Sequence, residues 1–125
     1  MLGRMIAAAA FLLAATPALA DSSRCVEPIP PASINGNTAT EQQMKDAIAD
    51  FKTFQQASDD YQSCLLADLK AQQLAAAKAK DPKPLDPSVA AGVDARIDAN
   101  QKLKERLGAE LNAAIIAYKS KHPGQ

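Results

Sequence analysis

The sequence predicts an all-α fold: an antiparallel two-helix hairpin, with an extended proline-rich N-terminal segment packed along it and stapled by a disulfide. Three observations lead there. Two long runs carry apolar residues at alternating spacings of three and four, with Asp81-Pro82-Lys83-Pro84-Leu85 between them. The stretch before the first run holds Pro28, Pro30 and Pro31. Two cysteines, Cys25 and Cys64, follow what reads as an export leader.

The leader comes first. Met1-Leu2-Gly3-Arg4 is a short positive region, Met5 to Ala15 is an unbroken apolar run, and Thr16-Pro17 breaks it. Ala18-Leu19-Ala20 then offers a small-x-small cleavage site, so residues 1–20 are expected to be a signal peptide. The apolar run is too short to span a bilayer, and no stop-transfer segment follows it. Arg4 stands alone, which excludes a twin-arginine signal. Cys25 follows Ser22-Ser23-Arg24 and not the small apolar residues that precede a lipidated cysteine.

Removing residues 1–20, which carry Arg4 and no carboxylate, leaves 105 residues with 13 basic and 14 acidic side chains. Such a balance gives no reason to expect nucleic acid or an anionic membrane as partner. The length suits one domain with a modest core. Alanine is abundant, Trp is absent, and Phe51, Phe54, Tyr61 and Tyr118 are the aromatics after the leader. Thin, close-packed helices fit that composition better than a thick globular core.

Residues 21–39 form the extended segment, with a turn at Asn35-Gly36-Asn37. The hairpin takes residues 40–125, with helices over about 40–80 and 87–120. Thr40 reads as an N-cap with Gln43 three residues on; Thr38 with Glu41 is an equally good capping box. Neither proline nor glycine interrupts residues 40–80. Asp86 caps the second helix and Pro87 fits its first turn. Pro123-Gly124 ends it, and Gly92 and Gly108 each weaken it by about 1 kcal/mol relative to alanine.

The first apolar stripe is Met44, Ala47, Ile48, Phe51, Phe54, Ser58, Tyr61, Leu65 and Leu69. The second is Val89, Val93, Ile97, Asn100, Leu103, Leu107, Leu111, Ala114, Ile115 and Tyr118. Such spacing marks one apolar face per helix, as in a coiled coil. A short linker makes the helices antiparallel, and centring the bend near Lys83 pairs positions whose numbers sum to about 168. That register sets Leu74 against Val93, Leu65 against Leu103, Tyr61 against Leu107 and Phe51 against Ala117, with Ile48 near Tyr118. Asn100 is the polar residue of the second stripe, expected to fix register or oligomeric state.

The staple follows from reach. From Thr40 to Cys64 a helix rises roughly 36 Å. The segment from Cys25 to Thr40 extends about 46 to 50 Å. It can therefore run back along the helix and join Cys25 to Cys64. Val26, Ile29 and Ile34 are then expected to cover the groove between the helices. The alternatives for the cysteines are a bridge between chains or a reactive thiol. There is no Cys-x-x-Cys to support redox catalysis.

Catalytic motifs are lacking. His122 is the sole histidine, and neither a glycine-rich phosphate loop nor zinc-ligand spacing occurs. Asp46 with Asp50, and Asp94 with Asp98, have i,i+4 spacing, and the register above brings His122 towards the first pair. A metal site there competes with a simpler reading, in which acids at a helix start and Lys119, Lys121 and His122 at a helix end offset the dipoles. The simpler reading is preferred: no catalytic residue, no metal and no cofactor are expected.

The run from Cys25 to Pro30, Gly36 to Thr40, Met44, Phe51, Ser58 to Gln62 and Cys64 resembles a group of small uncharacterised secreted proteins of Gram-negative bacteria. Pro84 to Pro87, Asn100-Gln101 and Leu111 to Ala114 continue the likeness over nearly the whole chain after the leader. The resemblance implies export and a shared fold, and it transfers no site residues. Glu110 to Ala113 with Tyr118 is similar to the Leu-Asn-x-x-Tyr signature of a periplasmic lysozyme-inhibitor family. That likeness is local, and the family's other cysteines are missing here. Small periplasmic helical chaperones are similar in size, but their Leu-Thr-x-x-Gln motif is absent.

The expected role is that of a non-catalytic periplasmic or secreted protein that is structural or binds another protein. A holdase-like chaperone and an inhibitor of a cell-wall lytic enzyme are the alternatives. Leu66, Leu74 and Ile116 lie off the stripes or at their edges. Two hairpins burying them as a four-helix bundle would make a homodimer.

Overall fold

A computed structural model of the chain describes residues 24–124; the expected signal peptide lies outside them. Two helices make up the fold of the described residues, α1 over Glu41–Lys78 and α2 over Pro87–Lys121, antiparallel and packed against each other. The two stripes thus form one helix each, as their spacing dictates.

Each helix starts where its cap places it. Thr40 Oγ1 accepts the Gln43 backbone N–H at 3.1 Å, while Gln43 Oε1 accepts the Thr40 N–H at 2.9 Å. That reciprocal box selects Thr40 over Thr38. Asp86 Oδ1 accepts the Ser88 N–H at 2.8 Å, and Pro87 follows in the first turn. The α2 C-terminus closes at His122, whose backbone N–H donates to the carbonyls of Tyr118 and Lys119.

Every residue of the two stripes is buried or half-buried. The register, however, differs from the expected one. Side-chain contacts join Ser58 with Asn100, Gln62 with Asn100 and Gln101, Tyr61 with Arg96, and Asp59 with Lys104. These position numbers sum to between 157 and 163, not to about 168. Leu65 and Tyr61 share a cluster with Val93, and Phe51 meets Gly108. The linker supplies the reason. Pro82, Lys83, Pro84 and Leu85 do not turn at the end of α1 but lie back beside Gln73 and Ala77. The extended prolines carry the chain down the side of α1, so α2 begins about two turns lower than expected, roughly 12 Å.

Residues 24–35 have no regular secondary structure and run along the hairpin as a strap. Cys25 is buried and Pro28, Pro31 and Ile34 are half-buried, a period of three that matches a polyproline helix laid on a surface. This period corrects the expected third layer. Ile34 packs inward, against the Ala39, Met44 and Ala114 cluster, but Val26 and Ile29 belong to the outward row and are 83% and 88% exposed.

At the foot of the strap Asn35 makes the turn. Its side chain accepts the Asn37 N–H, and its carbonyl accepts those of Thr38 and Ala39. Gly36 is needed there for closeness, not for backbone freedom. A Cβ on it would lie 1.9 Å from the Ala114 carbonyl oxygen, so the strap touches the α2 backbone directly. Gly108 plays a milder version of the same part: a Cβ on it would lie 3.2 Å from the edge of the Phe51 ring. Leu66, Leu74 and Ile116 are exposed as expected. They do not form one row: Leu66 and Leu74 are eight residues apart, about 80° around the helix, and Ile116 is near the opposite end of the hairpin.

Candidate functional site

The most built part of the molecule is the middle of the hairpin, where strap, α1 and α2 meet. Cys64 lies on the flank of α1 that faces the strap, three residues after Tyr61. Cys25 reaches it across a Cα–Cα distance of 5.7 Å and the two form the expected disulfide within one chain. Neither the interchain bridge nor a free thiol is found: no free cysteine occurs among the described residues. Cys25, Tyr61, Leu65 and Val93 form the apolar cluster around the bond. Arg96 of α2 donates from Nε to the Tyr61 hydroxyl at 3.1 Å, and its guanidinium carbon lies 5.6 Å from the ring centre. The tyrosine is thereby buried with its polar end satisfied.

One turn along sits a polar layer. Asn100 is where the sequence placed it, in the interface, 3% exposed. Its Nδ2 donates to the hydroxyl of Ser58, a residue with no exposed surface, at 3.3 Å. Gln62 Nε2 donates to Asn100 Oδ1 at 2.8 Å and to Gln101 Oε1 at 3.2 Å. Lys104 Nζ meets Asp59 Oδ1 at 2.7 Å at the edge of the same layer. No buried side-chain nitrogen or oxygen lacks a partner among the described residues. Its buried members, Ser58 and Asn100, bond each other, while Gln62 and Gln101 sit half-buried at the edge and Gln101 Nε2 donates outward to Glu105 Oε1 at 3.0 Å. A buried amide paired across two helices is the pattern of a register lock. Ser58 belongs to the first stripe, and Gln62 and Gln101 to segments that carry the resemblance, but a pairing with Asn100 was expected of none of them. The signal was present, since Ser58 breaks the first stripe as Asn100 breaks the second.

The other candidates do not assemble. His122 stacks on Tyr118 with ring centres 4.2 Å apart. Its Nδ1 lies 3.0 Å from the Tyr118 carbonyl oxygen, so that nitrogen carries the proton. The shifted register takes it away from Asp46 and Asp50. No group of three or more His, Cys, Asp or Glu among the described residues is arranged to hold a metal ion. Asp98 pairs with Lys102 at 2.8 Å and Glu41 with Lys45 at 2.6 Å, both on exposed helix faces. Lys45 holds the Glu41 carboxyl below its ordinary range, by hydrogen bond and then by charge. The Asp86 carboxyl is lowered by the Ser88 backbone N–H it accepts. Beneath the strap, a cavity of about 50 Å³ between Ile34, Phe51, Leu107 and Leu111 is too small for a substrate.

Fold and site together define a disulfide-stapled helical hairpin with a polar layer between its helices. No protein-family model, curated protein or solved structure matches the chain. No described helix is long and apolar enough to cross a membrane.

Proposed function

We propose that this chain is a non-catalytic exported protein whose stapled hairpin serves a structural or protein-interaction role in the periplasm. The observation that carries the reading is the Cys25–Cys64 bond, on a chain whose first twenty residues have the pattern of an export signal. Disulfides of this kind persist in oxidising compartments and are scarce in reducing ones. The polar layer fits a structural part, because its buried groups, Ser58 and Asn100, bond each other across the two helices. The holdase alternative needs an apolar cradle. Away from the strap, the exposed large apolar side chains Leu66, Leu74 and Ile116 are dispersed instead.

The test has two arms. Periplasmic material analysed without reductant should contain one Cys25–Cys64 link per chain; two free thiols there would remove the compartment argument. Photoreactive residues at positions 29, 66 and 116, activated in intact cells, should capture a discrete protein from at least one position. Capture from none would count against an interaction role.

A further inference from the structure

The strap presents an apolar edge to solvent. Val26 and Ile29 belong to one outward row of its three-residue period, about 9 Å apart. They are the most exposed of the large apolar side chains described, at 83% and 88%. An open groove of about 490 Å³ separates this row from the flank of α1, with Phe54 and Ala57 along its floor. Glu27 stands on the strap bank and Asp50 on the helix bank. The next groove towards the start of α1 adds Asp46. No Lys or Arg lines either groove, and none of the three carboxylates forms an ion pair among the described residues. From Ala57 to Asp46 the trough runs about 17 Å along α1.

We propose that this trough is a docking surface for a basic amphipathic segment of a partner protein. The proposal rests on the interaction reading above and deepens it. Apolar side chains of the segment cover Val26, Ile29 and Ala57, and its Lys or Arg side chains meet Glu27, Asp46 and Asp50. Charge decides the occupant. A second copy bound here across a two-fold axis would set the same carboxylates against their own copies, which like-charge repulsion opposes. An acidic or neutral segment leaves the carboxylates uncompensated.

The probe is a fluorescein-labelled 14-residue peptide of Leu and Lys at helical spacing, followed by anisotropy on the oxidised full chain. The expected result is saturable binding that weakens with added salt. The Val26→Ser/Ile29→Ser and Asp46→Asn/Asp50→Asn variants should each bind at least tenfold more weakly, and Ile116→Ser should bind as the parent does. All of these replace exposed side chains, and circular dichroism checks that each variant stays folded. Four results would overturn the proposal: no binding, equal binding of a Leu/Glu peptide, binding indifferent to both double variants, or a dimer that light scattering shows dissolving in Val26→Ser/Ile29→Ser. Partner capture from position 66 or 116 but not 29 would also overturn it while leaving the interaction reading in place.

Discussion

The hairpin has two ends that share one helix pair and differ in their cover. Beneath the strap lie Met44, Phe54, Ser58, Tyr61 and Leu65 of α1 and Val93, Asn100 and Ala114 of α2, all buried. Between Leu66 and Gly92, where the strap is absent, no residue is buried. The apolar spacing continues into that end through Leu69 and Val89, which are half-buried at best. Two helices touching along one seam leave the edges of that seam open to water. A third layer closes one edge and moves the seam from half-buried to buried. The twelve residues of strap therefore set where the core is, even though they contribute few side chains to it.

The sharpest way to break the contrast is to cut the staple. Cys25→Ser with Cys64→Ser releases a loop of sequence separation 39, which costs about 4 kcal/mol in the chain-entropy model. Urea unfolding should show that loss while far-ultraviolet dichroism retains most of its helix. A urea midpoint equal to the parent's would mean the strap is held without its bond.

Glycine-to-alanine substitution reads the two ends with opposite signs. Gly36→Ala forces a methyl into the Ala114 carbonyl and should destabilise by about 3 kcal/mol. Gly92→Ala meets nothing within 4 Å and should stabilise by about 1 kcal/mol through helix propensity. Equal effects at the two sites, by the same unfolding assay, would deny that the strap is in tight contact.

Asn100→Ala tests the layer that joins the two ends. It leaves the Ser58 hydroxyl without its partner across the interface and Gln62 with Gln101 alone, and a cost of about 2 kcal/mol is expected. Asn100→Leu combined with Ser58→Ala, which replaces both buried partners, should instead recover stability but loosen the register, visible as broadened amide resonances around position 58. Sharp, unshifted resonances there would show that apolar packing alone sets the alignment.

The smallest expected effect lies at the start of α2, in the uncovered end. The Asp86 carboxyl is held below its ordinary range by the Ser88 N–H, so its capping contribution is complete above that range and is lost as pH falls through the lowered value. Asp86→Asn should reduce the loss of stability on acidification, measured as the change in urea midpoint between neutral and acid pH. An identical acid dependence in the variant would place the sensitivity elsewhere, with the Glu41–Lys45 pair the next group to examine.

Much of the fold was legible in the sequence, and the parts that were not share a cause. Helix boundaries followed from caps whose chemistry is local: Thr40 with Gln43, Asp86 with Pro87. The staple followed from chain reach. Register did not, because it depends on the path of the linker, and a Pro-Lys-Pro run can either turn or lie alongside a helix. Pairing the two polar interruptions, Ser58 and Asn100, would have fixed it, since a buried amide requires a partner. The outward placement of Val26 and Ile29 was missed for a related reason. Hydrophobicity suggested an inward face, whereas the period of three, anchored at Cys25, decides which row turns inward. What remains is the groove's charge, which no local pattern reveals because Glu27 and Asp50 become neighbours only once the strap is laid down.

The covalent loop closes at Cys64, so the whole of α2 lies outside it. The bond ties the strap to α1 and places no constraint on the second helix. A chain emerging amino end first presents both sulfurs before any of α2 has appeared, and the ring can close on a single helix. The cross-link is then a property of the first half alone, and the second half docks onto a surface already fixed in shape. The contacts of long sequence separation, from Tyr61 with Arg96 to Gly36 with Ala114, are the ones left to be made at that stage, against a first half whose own loop is already closed.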